Sequence, residues 1–182
     1  SGINNYKNWV ITATKLIKLC KYFNDIKWID LGGGFGIDDE NPIDFEKLNT
    51  ELKSLDTDIE IYIEPGRFLV SEGGILLSKV NQIKKKENFC YLGLDTGMNS
   101  LIRPSLYGSY HKIHNITKIN NERSEIYNIV GPICETGDII GSNRLLPKSD
   151  INDIILIENT GAYGYVMSSN YNMRSPAEEI II

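Results

Sequence analysis

The sequence predicts two architectures in one chain, an α/β unit followed by an all-β region. Three observations predict it. Up to about residue 73, segments with helical apolar spacing alternate with short apolar runs. Each of those short runs ends in a glycine turn. Beyond Gly73-Gly74 the apolar residues fall into strand-like runs separated by turn-rich stretches.

The elements follow in order. Trp9, Ala13, Leu16, Ile17, Cys20 and Phe23 recur at steps of three and four, which predicts a helix with one buried face. Ile26 to Leu31 is a short apolar strand that runs into Gly32. A second helix is expected from Asp44, its N-cap, with Phe45, Leu48, Leu52 and Leu55 turned inward. Ile59 to Ile63 is the next strand, stopped by Glu64-Pro65-Gly66-Arg67. The order helix, strand, helix, strand marks a parallel α/β unit, in which ligands sit at the carboxyl ends of the strands. Further strands are expected over residues 75–83, 89–94, 125–130, 154–157 and 179–182, with a short helix after Gly161.

Composition bounds the function. With 182 residues the chain has room for one large domain or two modest ones, and 41% hydrophobic with 24% charged residues is ordinary for a soluble protein. A formal net charge of -5 argues against nucleic acid and anionic membranes as partners. The one dense basic run, Lys84-Lys85-Lys86, reads as a solvated hairpin tip. No apolar stretch reaches the length of a membrane span. Three widely spaced cysteines, Cys20, Cys90 and Cys134, fit a reducing, cytoplasmic compartment rather than a disulfide framework or a zinc site.

Some residues point to chemistry. Gly32, Gly33 and Gly34 directly after a strand let backbone amides approach a ligand, and a phosphate suits such a turn. A turn that needs glycine only for its backbone angles is the plainer alternative. Glu64, Gly66 and Arg67 at the next strand end add a carboxylate and a guanidinium, which suit a cationic nitrogen and a phosphate or carboxylate. A structural Glu-Arg pair is the plainer alternative there. Cys134 lies in the glycine-bounded loop 131–138 with Glu135 and Asp138, where a thiol is either an inert side chain or a proton donor or nucleophile. His111 and His114, three apart, can share a helical face, but no third metal ligand accompanies them.

Six ordered segments carry a resemblance. They are Gly32-Gly33-Gly34, Glu64-Pro65-Gly66-Arg67, residues 95–107 from Asp95-Thr96-Gly97 to Leu106-Tyr107, Cys134-Glu135-Thr136-Gly137-Asp138, Gly161-Ala162-Tyr163-Gly164, and residues 171–178 ending in Pro176-Ala177-Glu178. Together they resemble the fold-type III pyridoxal-phosphate decarboxylases, and most of all the diaminopimelate decarboxylases, which form L-lysine and carbon dioxide. The resemblance implies that residues 1–73 are the C-terminal portion of a pyridoxal-phosphate-binding (β/α)₈ TIM barrel. It implies that residues 74–182 are a β-sandwich or β-barrel domain. The family's cofactor-anchoring lysine sits early in the barrel and has no counterpart here, so the chain is expected to be a C-terminal fragment, inactive alone.

The resemblance also assigns roles. Gly32, Gly33, Gly34, Gly66 and Arg67 would hold the cofactor phosphate, Glu64 its ring nitrogen, and Tyr163 the cofactor or substrate. Arg67, Arg103 and Tyr107 would grip a substrate carboxylate. Cys134 would be the proton donor and Glu135 would read a substrate amino group, both serving the partner's site in a homodimer with shared active sites. Thr136 stands where the family often has serine, and Ser175 where it often has arginine. Ornithine, arginine or carboxynorspermidine decarboxylases are the nearest alternatives, and a catalytically inactive homologue that binds a partner is another.

Overall fold

The computed structural model describes residues 2–37, 40–87 and 89–182. The chain forms two compact units, Ser1–Leu69 and Val70–Ile182.

In the first unit, helix α1 (Lys7–Cys20) buries Trp9 and Ala13, four positions apart on one face. It ends before Phe23, which is exposed. Strand β1 (Trp28–Asp30), helix α2 (Phe45–Lys53) and strand β2 (Glu60–Tyr62) follow. The Asp44 carboxylate accepts from the Lys47 N–H at 2.9 Å. It thereby satisfies a donor that the first turn of a helix leaves without an intrahelical partner. β1 and β2 pair in parallel, Trp28 with Glu60 through Asp30 with Tyr62. Parallel pairing puts both carboxyl ends on one side, so the two turns lie together. Aromatic rings pack beside them. Phe35, which follows Gly34, stacks on Trp9 at 4.2 Å between centroids, and Phe68, which follows Arg67, meets Phe45 at 5.1 Å. Helix α3 (Gly66–Val70) begins inside the second turn.

The second unit is built on one six-stranded mixed sheet, which meets the expectation of an all-β region. Its strands are β3 (Leu76–Lys86), β4 (Phe89–Leu94), β5 (Ile113–Asn115), β6 (Arg123–Val130), β7 (Ile139–Pro147) and β8 (Ile154–Ile157). The order across the sheet is β5-β8-β3-β4-β6-β7, with β4 and β6 the parallel neighbours. Alternation places Tyr127 and Ile129 of β6, and Ile155 and Ile157 of β8, in the core with Leu92 and Leu94. Helix α4 (Arg103–Tyr107) lies between β4 and β5.

Three expectations change. Residues 179–182 form no strand and Ile180 to Ile182 are exposed, because an apolar run becomes a strand only where a neighbour offers a ladder. His111 and His114 do not share a helical face. β5 holds His114, and extended backbone turns residues three apart to opposite faces. His111 Nδ1 lies 2.8 Å from the Glu158 carbonyl oxygen, and His114 Nε2 lies 2.7 Å from Glu158 Oε1. The short helix after Gly161 is a 3₁₀ turn over Tyr165–Met167. Lys84, Lys85 and Lys86 are solvent-exposed at the end of β3, within the ladder to β4. Among the described residues no helix is long and apolar enough to cross a membrane.

Tyr127 is 1% exposed and joins this core to its rim. Its hydroxyl donates to Glu125 Oε2 at 2.7 Å and accepts from the Ser149 N–H at 3.0 Å. Burial, helped by Glu125, pushes its pKa from the ordinary 10.0 up to about 12. The folded value is the higher one, so the stability it carries is full below about pH 10 and is lost as pH rises towards about 12. Tyr127→Phe should cost about 1–3 kcal/mol at pH 7, because the Ser149 N–H loses its buried acceptor. The deficit, measured by urea unfolding, should shrink between about pH 10 and about 12, since only the tyrosine form must ionise on unfolding. An unchanged deficit across that range would contradict this account.

Candidate functional site

In the first unit the site begins at the glycine turn. Gly32 and Gly34 have φ of 68° and 90°, the left-handed region that costs a residue with a side chain about 1–2 kcal/mol. Gly33 has a different reason: a Cβ there would overlap the Glu64 carbonyl oxygen. The Glu64 N–H donates to the Gly32 carbonyl at 2.9 Å, and the Gly66 N–H donates back to the Glu64 carbonyl at 2.8 Å. The Gly32 N–H is held by Asp30 Oδ1 at 2.8 Å. The N–H groups of Gly33 and Gly34 meet no acceptor among the described residues. Thus Gly32, Gly33, Gly34, Glu64 and Gly66 are brought together, with the Glu64 side chain exposed and Arg67 half-buried on α3.

In the second unit Arg103 opens α4 and is 8% exposed. Its guanidinium lies 5.5 Å from the ring centroid of Tyr107 and 5.5 Å from that of Tyr163. It donates to Ser109 Oγ at 3.3 Å. No carboxylate among the described residues pairs with it. Tyr163 has φ of 60°, a strained backbone for a residue with a large side chain, and in that conformation its ring meets Arg103. A cleft of about 430 Å³ opens beside Tyr163, lined also by Gly74, Ser100, Thr160 and Glu178.

Cys134 and Glu135 are exposed on the loop between β6 and β7. The Glu135 carboxylate accepts from the Thr136 N–H at 2.9 Å and from the Tyr171 hydroxyl at 3.1 Å. The loop returns on Asp138, which is 3% exposed. Asp138 Oδ1 accepts from the Met98 N–H at 2.6 Å, and Oδ2 accepts from the Ile133 N–H at 2.7 Å. A Cβ on Gly97 or Gly131 would overlap this carboxylate. Burial pushes the Asp138 pKa up, against the two amides that pull it down.

Residues 34–161 match the family model described as the C-terminal sheet domain of the pyridoxal-dependent decarboxylases. The chain belongs to that family. It is 40% identical over 172 residues to a diaminopimelate decarboxylase of Archaeoglobus fulgidus, covering 87% of this chain and 40% of that protein. It is also 40% identical over 205 residues to a diaminopimelate decarboxylase of Buchnera aphidicola, covering 100% and 49%. A crystal structure of diaminopimelate decarboxylase from Helicobacter pylori complexed with L-lysine superposes with a TM-score of 0.83 at 33% identity, covering 97% of this chain and 45% of that one. The chain therefore spans less than half the length of these relatives. Membership agrees with the resemblance carried by the six motifs.

Sequence reasoning named Asp138 within its motif without a role. The signal was present: glycines at 97 and 131 mark places where something approaches the backbone closely, and a carboxylate is the group that approaches. Asp138→Asn should destabilise the protein by about 1–3 kcal/mol at neutral pH, because an amide offers one acceptor where two N–H donors converge. The raised folded pKa means that the contribution of the carboxyl to stability falls as pH rises through the carboxylate range. The deficit of the Asn form should then be largest in mild acid. Thermal unfolding at pH 4 and pH 8 measures both, and equal stability of the two proteins at both pH values would refute the assignment.

Proposed function

We propose that the protein containing this chain is a pyridoxal-phosphate-dependent decarboxylase that converts meso-2,6-diaminopimelate to L-lysine and carbon dioxide. The observation that carries the reading is Arg103, a buried guanidinium between two tyrosine rings with no carboxylate partner among the described residues. Burying an unpaired charge is costly, and an anionic ligand offsets that cost. A substrate with a second carboxylate supplies one, whereas ornithine and arginine do not. The relatives named diaminopimelate decarboxylase support the same choice.

The residues of the first unit fit the cofactor. The unaccepted N–H groups of Gly33 and Gly34, with open space above Gly32, suit its phosphate, together with Gly66 and Arg67. The exposed Glu64 carboxylate beside them suits a protonated ring nitrogen. Bound there, pyridoxal phosphate supplies an electron sink for loss of a carboxylate. In this reading residues 1–73 belong to the cofactor-binding barrel and residues 74–182 to the β-domain.

The side chains divide the remaining work. Arg67, Arg103 and Tyr107 bind carboxylate, a task for which a planar guanidinium is better suited than an ammonium. Glu135, held by Tyr171, binds an ammonium group of the substrate, and Tyr163 reaches the cofactor phosphate or the substrate. Cys134 carries a proton on Sγ and delivers it to the substrate α-carbon once carbon dioxide has left. The loop bearing Cys134 and Glu135 serves the partner's site in a homodimer. Three free cysteines accord with a reducing, cytoplasmic setting.

In the full-length protein, Cys134→Ala should keep the visible absorbance of bound cofactor and lower kcat by about 10²-fold or more, as loss of a general acid does. Turnover at the wild-type rate would exclude the acid role. Arg103→Ala should lower kcat/KM for diaminopimelate by about 10²-fold, the loss of a charged hydrogen-bonding partner. Comparing the same two proteins on ornithine tests the substrate. A wild-type enzyme that prefers ornithine would overturn the choice of diaminopimelate.

A further inference from the structure

The loop of Cys134 and Glu135 is tied at Glu135 by the Tyr171 hydroxyl and braced by two further side chains. On one side Asp138 pins it to the turn at Met98, as described above. On the other side the Ser105 hydroxyl donates to the Gly137 carbonyl at 2.5 Å, across 32 residues of sequence. Ser105 is the third residue of α4, two after Arg103 and two before Tyr107. One side-chain hydroxyl thus joins the helix that carries the candidate carboxylate-binding residues to the loop that carries the candidate acid. Ser105 is half-buried, so the bond is only partly open to competition from water. Gly137 itself has open space where a Cβ would stand. The Gly137 carbonyl also accepts from the neighbouring Ile139 N–H at 2.7 Å, so the Ser105 hydroxyl is the bond that reaches it from α4.

We propose that Ser105 is a positioning residue for Cys134, which sets the placement of this part of the loop against α4 and through it the efficiency of proton delivery, while Glu135 keeps its own anchor in the Tyr171 hydroxyl. The proposal rests on the acid role given to Cys134. It differs from a packing role in what it requires: a hydroxyl at this position, not a volume. Asp138 holds the base of the loop whether or not Ser105 is present, so loss of the hydroxyl should loosen the loop without unfolding the unit.

The experiment uses the full-length protein with cofactor bound and four substitutions, Ser105→Ala, Ser105→Thr, Ser105→Val and Cys134→Ala. Threonine and valine are nearly equal in volume and differ by the hydroxyl. Ser105→Ala and Ser105→Val should lower kcat by about threefold to tenfold, the value of one hydrogen bond, with KM for diaminopimelate changed by less than about twofold. Ser105→Thr should stay within about twofold of wild-type kcat by the same measure. Cofactor absorbance should be the same in all four. Wild-type kcat in the alanine and valine forms, while Cys134→Ala is slow, overturns the proposal and leaves the acid role standing. Equal slowing by threonine and valine also overturns it, since volume would then be the cause. If Cys134→Ala itself turns over normally, the acid role fails, and with it the ground for this proposal. Should the valine form not fold, the alanine and threonine forms decide alone.

Discussion

In each unit the candidate functional residues hang on places where one segment of chain comes closer to another than a Cβ permits. At Gly33 the intruder is the Glu64 carbonyl, and at Gly97 and Gly131 it is the Asp138 carboxylate. The first fixes two turns that otherwise share a short ladder, since β1 and β2 pair over three residues, and the second joins the loop at Cys134, which lies outside the β6–β7 ladder, to the turn at Met98. Aromatic packing of Trp9, Phe35, Phe45 and Phe68 then holds the first pair of turns in place. In the second unit, two amide donors on one buried carboxylate do the same for the loop.

The order of dependence runs from these contacts outward. The closeness of the two turns sets the glycine turn against the Glu64 backbone, from which an exposed carboxylate side chain extends. The Asp138 contact leaves Cys134 and Glu135 at the exposed end of a loop whose base is anchored by two buried hydrogen bonds. α4 adds a guanidinium between two rings, and Ser105 ties that helix to the loop. Glu64, Cys134 and Glu135 are exposed, Arg103 is itself buried, and the exposed loop is anchored by the buried Asp138. This division follows from the physics of loops, which are free to present side chains only where a fixed scaffold carries their ends.

Much of the fold was legible from spacing alone. The buried positions Trp9 and Ala13 of α1 and Leu48 of α2, the Asp44 cap and the apolar cores of β1, β4, β6 and β8 follow from periodicity and local chemistry, whereas Phe45 is exposed and β2 has no fully buried side chain. β7 was not seen, because Gly141-Ser142-Asn143-Arg144 interrupts its apolar pattern where the ladder with β6 is irregular. Residues 179–182 misled in the opposite sense, since apolar character signals burial and not a ladder partner. The site divides the same way. Motif order named Gly32 to Gly34, Glu64, Arg67, Arg103 and Cys134. The roles of Ser105 and Tyr171 lie in hydrogen bonds across tens of residues, which no local pattern encodes, whereas that of Asp138 is foreshadowed by the glycines at 97 and 131. His111 and His114 show the cost of assuming a helix: a spacing of three means one face in a helix and two in a strand.

The unpaired charge of Arg103 has a thermodynamic side. A buried guanidinium beside Tyr107 and Tyr163, with no carboxylate partner among the described residues, makes the folded state a better anion host than the unfolded chain, where the same group is fully hydrated. Any small carboxylate or phosphate that settles there is therefore linked to folding, and stability becomes a function of how much of it is present. The native ensemble of this unit is then set partly by the composition of its solvent. Its resistance to heat in phosphate and in a buffer without small anions should not be the same number.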